Sequence, residues 1–199
     1  PDIPQQLDQA ILDPLLTNEQ LLEMCDAGRQ EAVRAICTTL PKLTLLRDRL
    51  GRSDDGPRLI AVIGFPFGAV PAELKHAEAE WAAAHGAQEL DVVPDFHSLA
   101  NNDANRFSEE LAGLCGLGLP VRVVLDMARL TEEQLGLAVE ASIDAGASGL
   151  QTSNGFGPAC HPDQVQQLKA LCRNRCGIKA AGGIHSLELV VELVEAGAD

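Results

Sequence analysis

A single α/β domain built on a parallel barrel is the fold class this sequence predicts, on three observations. Short apolar, β-branched runs alternate with longer stretches of helical period, the rhythm of parallel strands joined by crossover helices. His85-Gly86-Ala87, Ala145-Gly146-Ala147 and Ala196-Gly197-Ala198 recur after helical stretches, where glycine takes the left-handed conformation and lets the chain drop into a strand. A doubly wound open sheet is the rival architecture, but its first strand usually leads into a glycine-rich fingerprint. Here Ile11-Leu12-Asp13-Pro14-Leu15 follows instead.

The elements follow in order. A first strand is expected over 7–12, and Thr17-Asn18-Glu19-Gln20 opens a helix over 17–27, because a Thr three residues before a Gln lets the two side chains satisfy free amides at a helix start. A second strand is expected over 32–37. The polar stretch Gly51-Arg52-Ser53-Asp54-Asp55-Gly56-Pro57 reads as a loop before a third strand at 59–64. Helix 72–85 leads to strand 89–93, and a fifth strand covers 121–126. Thr131-Glu132-Glu133-Gln134 repeats the capping pattern ahead of helix 131–145. Strand 149–152, helix 162–173, strand 177–180 and helix 187–195 complete the series. That makes seven strands where a closed (β/α)8 TIM barrel has eight. The third Gly-Ala signal is followed by Asp199 alone, so the eighth strand is expected outside these 199 residues. An open edge between the first and seventh strands would expose unpaired backbone groups and invite association. No composition shift marks a boundary, and one domain is expected over 1–199.

Composition narrows the function. The net charge of −14 repels phosphodiester backbones and anionic lipid, and five Phe, one Trp and no Tyr offer little for base stacking, which argues against nucleic acid. No apolar run approaches the roughly 20 residues of a membrane span, and no signal-peptide pattern opens the chain; a cytoplasmic location is expected, with no membrane insertion. Six cysteines are spread without paired CxxC spacing, so they read as reduced, packed thiols. Cys172 and Cys176 lie four apart and Cys160 precedes His161, yet no familiar tetrahedral ligand set appears. No metal and no cofactor are expected.

In parallel barrels the working residues sit at the C-terminal ends of strands, which makes Asp8, Cys37, Asp91, Asp126, Gln151 and Lys179 the positions to weigh. Leu150-Gln151-Thr152-Ser153-Asn154-Gly155-Phe156-Gly157, Ile178-Lys179-Ala180-Ala181-Gly182-Gly183-Ile184, Val62-Ile63-Gly64-Phe65-Pro66-Phe67-Gly68 and Glu89-Leu90-Asp91-Val92-Val93 together resemble deoxyribose-phosphate aldolases, over nearly the whole chain. That family cleaves a sugar phosphate through a lysine imine. The resemblance matches Asp91 to the acid of the proton relay, Lys179 to the second lysine, Gln151 to the imine-forming lysine, and Asp8 to an acid near the start of the pattern. It implies a phosphate cradle at Gly182 and Gly183, with Thr152, Asn154 and Cys37 as further substrate contacts, and a phosphorylated small molecule as the partner.

The chemistry shows what is at stake at Gln151. An amine is nucleophilic at neutral pH only when its pKa is depressed, and a nearby second cation does this. The protonated imine then draws electrons from the breaking carbon–carbon bond while a carboxylate moves protons. An amide nitrogen, its lone pair delocalised, can hydrogen-bond a substrate but cannot form an imine. Of four lysines only Lys179 falls at a strand end. Without a cationic neighbour its pKa is expected near the usual ~10.4, and a salt bridge with Asp91 would raise it.

Other departures from the resembling family cluster at the same end of the barrel. His185 stands where an arginine is common, Asn154 where threonine or serine is usual, and Leu7-Asp8-Gln9-Ala10 replaces Asp-His-Thr. Asp126 replaces a longer Glu, Pro94-Asp95 an apolar-Asn pair, and Thr38-Thr39 an apolar-aromatic pair. Gly182-Gly183 also reads simply as a tight strand-to-helix turn. The leading expectation is a diverged aldolase homologue, inactive or much weakened as a carbon–carbon lyase and kept as a binding or assembly module. The alternative is an active aldolase that cleaves 2-deoxyribose 5-phosphate to glyceraldehyde 3-phosphate and acetaldehyde with Lys179 as the amine. A metal-dependent lyase lacks ligands. A homodimer, or a subunit of a larger protein assembly, is compatible with either.

Overall fold

The computed structural model describes residues 2–51 and 55–199. Seven strands form one parallel sheet in the order of the sequence: β1 (Asp8–Ile11), β2 (Ala35–Thr38), β3 (Arg58–Ile63), β4 (Glu89–Val92), β5 (Val121–Val124), β6 (Gly149–Gln151) and β7 (Gly177–Lys179). Asp8 of β1 and Lys179 of β7 belong to opposite edges, yet their side chains meet at 2.9 Å. The sheet is therefore curled into a barrel with a seam between β1 and β7. Helices α1 (Asn18–Gln30), α2 (Leu40–Leu50), α3 (Ala72–Ala84), α4 (Phe96–Ala100), α5 (Ala104–Cys115), α6 (Glu132–Asp144), α7 (Pro162–Cys172) and α8 (Leu187–Ala196) lie between the strands. This is the TIM-barrel-like α/β class that the alternation predicts. No eighth strand is present among the described residues.

Period-two alternation divides each strand between two cores. In β3, Leu59, Ala61 and Ile63 pack outward into the large apolar layer beneath the helices, whereas Ile60 and Val62 face inward with Ala35 and Cys37 in a small inner cluster. Among the described residues no helix is long and apolar enough to cross a membrane.

Both Thr-Gln capping boxes form, at Thr17/Gln20 and Thr131/Gln134. Gly86, Gly146 and Gly197 all take positive φ, from 97° to 114°. Gln88 and Ser148, just ahead of β4 and β6, donate their N–H to Leu59 O and Val121 O, and Asp199 donates in the same way to Ile178 O. Thr131→Ala removes the hydroxyl that accepts from Gln134 N; it is expected to lower unfolding free energy by about 1 kcal/mol in urea titration.

The structure departs from the sequence expectation in two places. The second strand begins at Ala35, because Ala32 turns the chain with φ 54°. Helices α4 and α5 occupy stretches that carried no helix expectation. The expected loop over 51–57 lies partly outside the described residues.

Candidate functional site

The inner face of the barrel sets charged and polar side chains beside its small apolar cluster, where the outer face is apolar. Because side chains alternate along a strand, Asp8, Cys37, Glu89, Asp91, Arg122, Gln151 and Lys179 all point inward. Register brings them together: Asp91 pairs with Arg122 and Gln151 with Lys179. Glycine makes the room, since a Cβ on Gly149 would meet Arg122 Nε at 3.4 Å.

At the centre, Lys179 Nζ lies 2.9 Å from Asp8 Oδ2 and 2.9 Å from Asp91 Oδ2. Arg122 Nη1 approaches the same two carboxylates, at 3.0 Å from Asp91 Oδ1 and 3.4 Å from Asp8 Oδ2. Arg34 clamps Asp8 from below through Nε at 2.7 Å and Nη2 at 2.8 Å, and reaches Glu89 at 2.9 Å. Arg58 completes the layer with a 2.6 Å contact to Glu89. Charges of both signs thus alternate in a nearly balanced cluster, the arrangement that makes buried ions tolerable.

The electrostatic consequences differ by residue. Burial alone pulls the Lys179 ammonium toward deprotonation, but Asp91, Cys37 and Asp8 outweigh it even against the opposing Arg122, and the pKa is held well above the ordinary lysine value. Burial pushes the Asp8 carboxyl up, while Lys179, Arg34 and Arg122 together bring it down to about 2. Burial, reinforced by Asp91 and Asp8 and only partly offset by Lys179, raises the Cys37 thiol strongly. It donates to Asp91 Oδ2 at 3.7 Å and is not a thiolate nucleophile.

A group whose folded pKa is depressed stabilises the fold above its unfolded value, and that contribution disappears as pH falls through the folded one. For Asp8 the window runs from 3.8 down to about 2. Asp8→Asn is therefore expected to lower stability at neutral pH by about 2 kcal/mol. The gap to the unsubstituted protein should close across that acid window in urea titrations.

Above the ion cluster lies a cavity of about 420 Å³, lined by Asp8, Cys37, Asp91, Gln151, Asn154, Lys179, Gly182 and Gly183, with Val62, Phe65 and Val124 as apolar walls. Gln151 Nε2 donates to Ser153 O at 2.7 Å. Asn154 Nδ2 donates to Pro66 O and its Oδ1 accepts from Phe156 N, both within 2.9 Å, which tethers the loop after β6 to the loop after β3. Gly182 and Gly183 both take positive φ, and a Cβ on Gly183 would stand 2.6 Å from Ala159 Cβ, so backbone geometry alone demands glycine there. A second space of about 640 Å³ opens along the β1–β7 seam and shares Asp8, Arg122 and Lys179.

Of the residues singled out from the sequence, the cavity gathers all but two. Thr152 is buried, and its hydroxyl donates to Ala181 O and accepts from Ala181 N, pinning the ends of β6 and β7 together. Asp126 lies past β5 beside Arg129, at 3.3 Å. Asp8 opens β1 rather than closing it and reaches Lys179 across the seam from below. The expectation that Lys179 lacks a cationic neighbour is corrected: Arg122 shares both of its carboxylates. Sequence reasoning also missed Arg34, Glu89 and Arg122. Their signal was the charge alternating with apolar residues in Val33-Arg34-Ala35-Ile36, Glu89-Leu90-Asp91-Val92 and Val121-Arg122-Val123-Val124.

No family model matches the chain. Individual relatives do. The chain is 33% identical over 203 residues to the deoxyribose-phosphate aldolase of Thermococcus kodakarensis, spanning 100% of this chain and 91% of the relative. Among solved structures it superposes on QR15, described as an aldolase, with a TM-score of 0.93 and 30% identity, over 99% of this chain and 89% of the other. It also superposes on the tetrameric deoxyribose phosphate aldolase of Aeropyrum pernix with a TM-score of 0.88 and 31% identity, over 98% and 84%.

Proposed function

Because the chain belongs to the deoxyribose-phosphate aldolase family, we propose that it is a member that binds a phosphorylated, sugar-like molecule in the barrel but is inactive or much weakened as a carbon–carbon lyase. In this reading Gln151 stands where its relatives place the imine-forming lysine. Asp8, Asp91 and Lys179 persist as a balanced ion cluster below the ligand, and Gly182 and Gly183, with Asn154 and Cys37, face it. The observation that carries the reading is the double carboxylate contact of Lys179 at 2.9 Å and 2.9 Å. The sole lysine lining the 420 Å³ cavity is held as an ammonium, with no lone pair to attack a carbonyl.

Borohydride reduction in the presence of 2-deoxyribose 5-phosphate or acetaldehyde tests this directly. No stable adduct on the protein is expected. A high-yield adduct mapped to Lys179 would favour the second reading, an active aldolase that uses Lys179, for which the nearby Arg122 cation is the supporting feature. The Aeropyrum pernix relative is tetrameric, and self-association of this chain is part of the proposal; the edge of β1, which pairs only with β2, and the exposed Leu187 and Val191 of α8 offer backbone and apolar surface for it.

A further inference from the structure

Gln151 is 7% exposed, and its side-chain orientation follows from elementary hydrogen-bond chemistry. A backbone carbonyl can only accept, so the group 2.7 Å from Ser153 O must be the amide nitrogen. The carbonyl end, Oε1, is left buried without a donor. Gln6 and Gln9 carry similar orphan oxygens along the β1–β7 seam, but Gln151 belongs to the 420 Å³ cavity above the ions. A buried acceptor left without a donor is costly. Its register partner Lys179 has the complementary lack. An ammonium has three N–H donors, and Asp8 and Asp91 are the only acceptors found for them among the described residues.

We propose that Gln151 Oε1 and the third N–H of Lys179 together recognise a hydroxyl group, so that the cavity takes a sugar phosphate carrying an alcohol where an aldolase substrate presents its carbonyl. A hydroxyl donates once and accepts at the same oxygen, satisfying Gln151 and Lys179 in one contact. A carbonyl oxygen only accepts; it would serve Lys179 but leave Gln151 Oε1 facing another lone pair. The favoured class is an alditol phosphate or the closed hemiacetal form of a deoxypentose phosphate. This rests on the sugar-phosphate reading above and adds the discrimination between alcohol and carbonyl.

Calorimetric titration of the unmodified protein at neutral pH with 2-deoxyribitol 5-phosphate, and with its analogue carrying hydrogen in place of the C1 hydroxyl, decides it. The alditol phosphate is expected to bind about tenfold tighter than the analogue. In Gln151→Met, which keeps the volume but removes the acceptor, the ratio should fall to near one while the analogue still binds. Equal affinities in the unmodified protein, or an unchanged ratio in Gln151→Met, overturn the proposal while leaving the sugar-phosphate reading intact. Failure of both compounds to bind overturns that reading, and this inference with it. Should Gln151→Met not fold, the ligand pair on the unmodified protein still decides.

Discussion

Gln151→Lys should convert the barrel into one that borohydride traps in the presence of acetaldehyde or 2-deoxyribose 5-phosphate, with the adduct mapping to residue 151. The new amine would project from β6 beside its register partner Lys179, into a cavity whose anions are already engaged. Asp8 and Asp91 are committed to Lys179, Arg122 and Arg34, so an added cation finds no free counter-charge and meets burial plus two like charges. All three influences favour the neutral amine. A lysine at ~10.4 is about 0.1% free at neutral pH, and lowering it by about 3 units makes the free fraction comparable to the charged one. The expected gain in free amine is therefore on the order of a thousandfold over an unperturbed lysine, and an adduct is expected where the unmodified protein gives none. A folded Gln151→Lys protein, with an unchanged circular dichroism spectrum, that still gives no adduct would mean that more than one amine separates this cavity from a working one.

The strands were legible because apolar, β-branched runs bounded by glycine carry their own signal, and the Thr-x-x-Gln caps fixed two helix starts to the residue. For helix α2 the helical character around Lys42 was legible but its start was not: Leu40-Pro41 reads as a break, although proline is well suited to the first turn of a helix. Helix α5 hid behind Asn101-Asn102-Asp103, a polar run that reads as loop, yet Asp103 accepts from Arg106 N and caps the helix. The candidate site divides along a physical line. Gln151 and Lys179 stood out because one offers an amide and the other an amine at neighbouring strand ends. Arg34, Glu89 and Arg122 did not, because charge alternating with apolar residues ordinarily means a sheet with one face in water. In a barrel wrapped by helices the same alternation puts charge inside, and only closure of the sheet reveals that these ions are partners.

That closure gives Lys179 a structural weight independent of any ligand. Asp8 and Asp91 come from β1 and β4, Lys179 from β7 and Arg122 from β5, so one cluster ties four strands and spans the seam between the sheet edges.

Lys179→Met is therefore expected to lower unfolding free energy by about 3 to 5 kcal/mol, since removal of one partner leaves buried charge uncompensated. Asp91→Asn alone should also be costly, because it strips Lys179 and Arg122 of a shared acceptor. The double variant Lys179→Met/Asp91→Leu should cost less than the sum of its single changes, because it removes charges of both signs from a dry site. Urea titration of the cycle measures the coupling directly. The pH dependence gives a separate check. A group whose folded pKa is raised stabilises below its unfolded value and loses that contribution only as pH climbs through the folded one. The Lys179 contribution should thus be complete below about 10.5 and decline only in more alkaline solution, and the Lys179→Met protein should lack that alkaline decline. Additive single-variant costs, or full stability of Lys179→Met, would leave Lys179 free of its carboxylates and available as an amine, which is what an active aldolase using that residue requires.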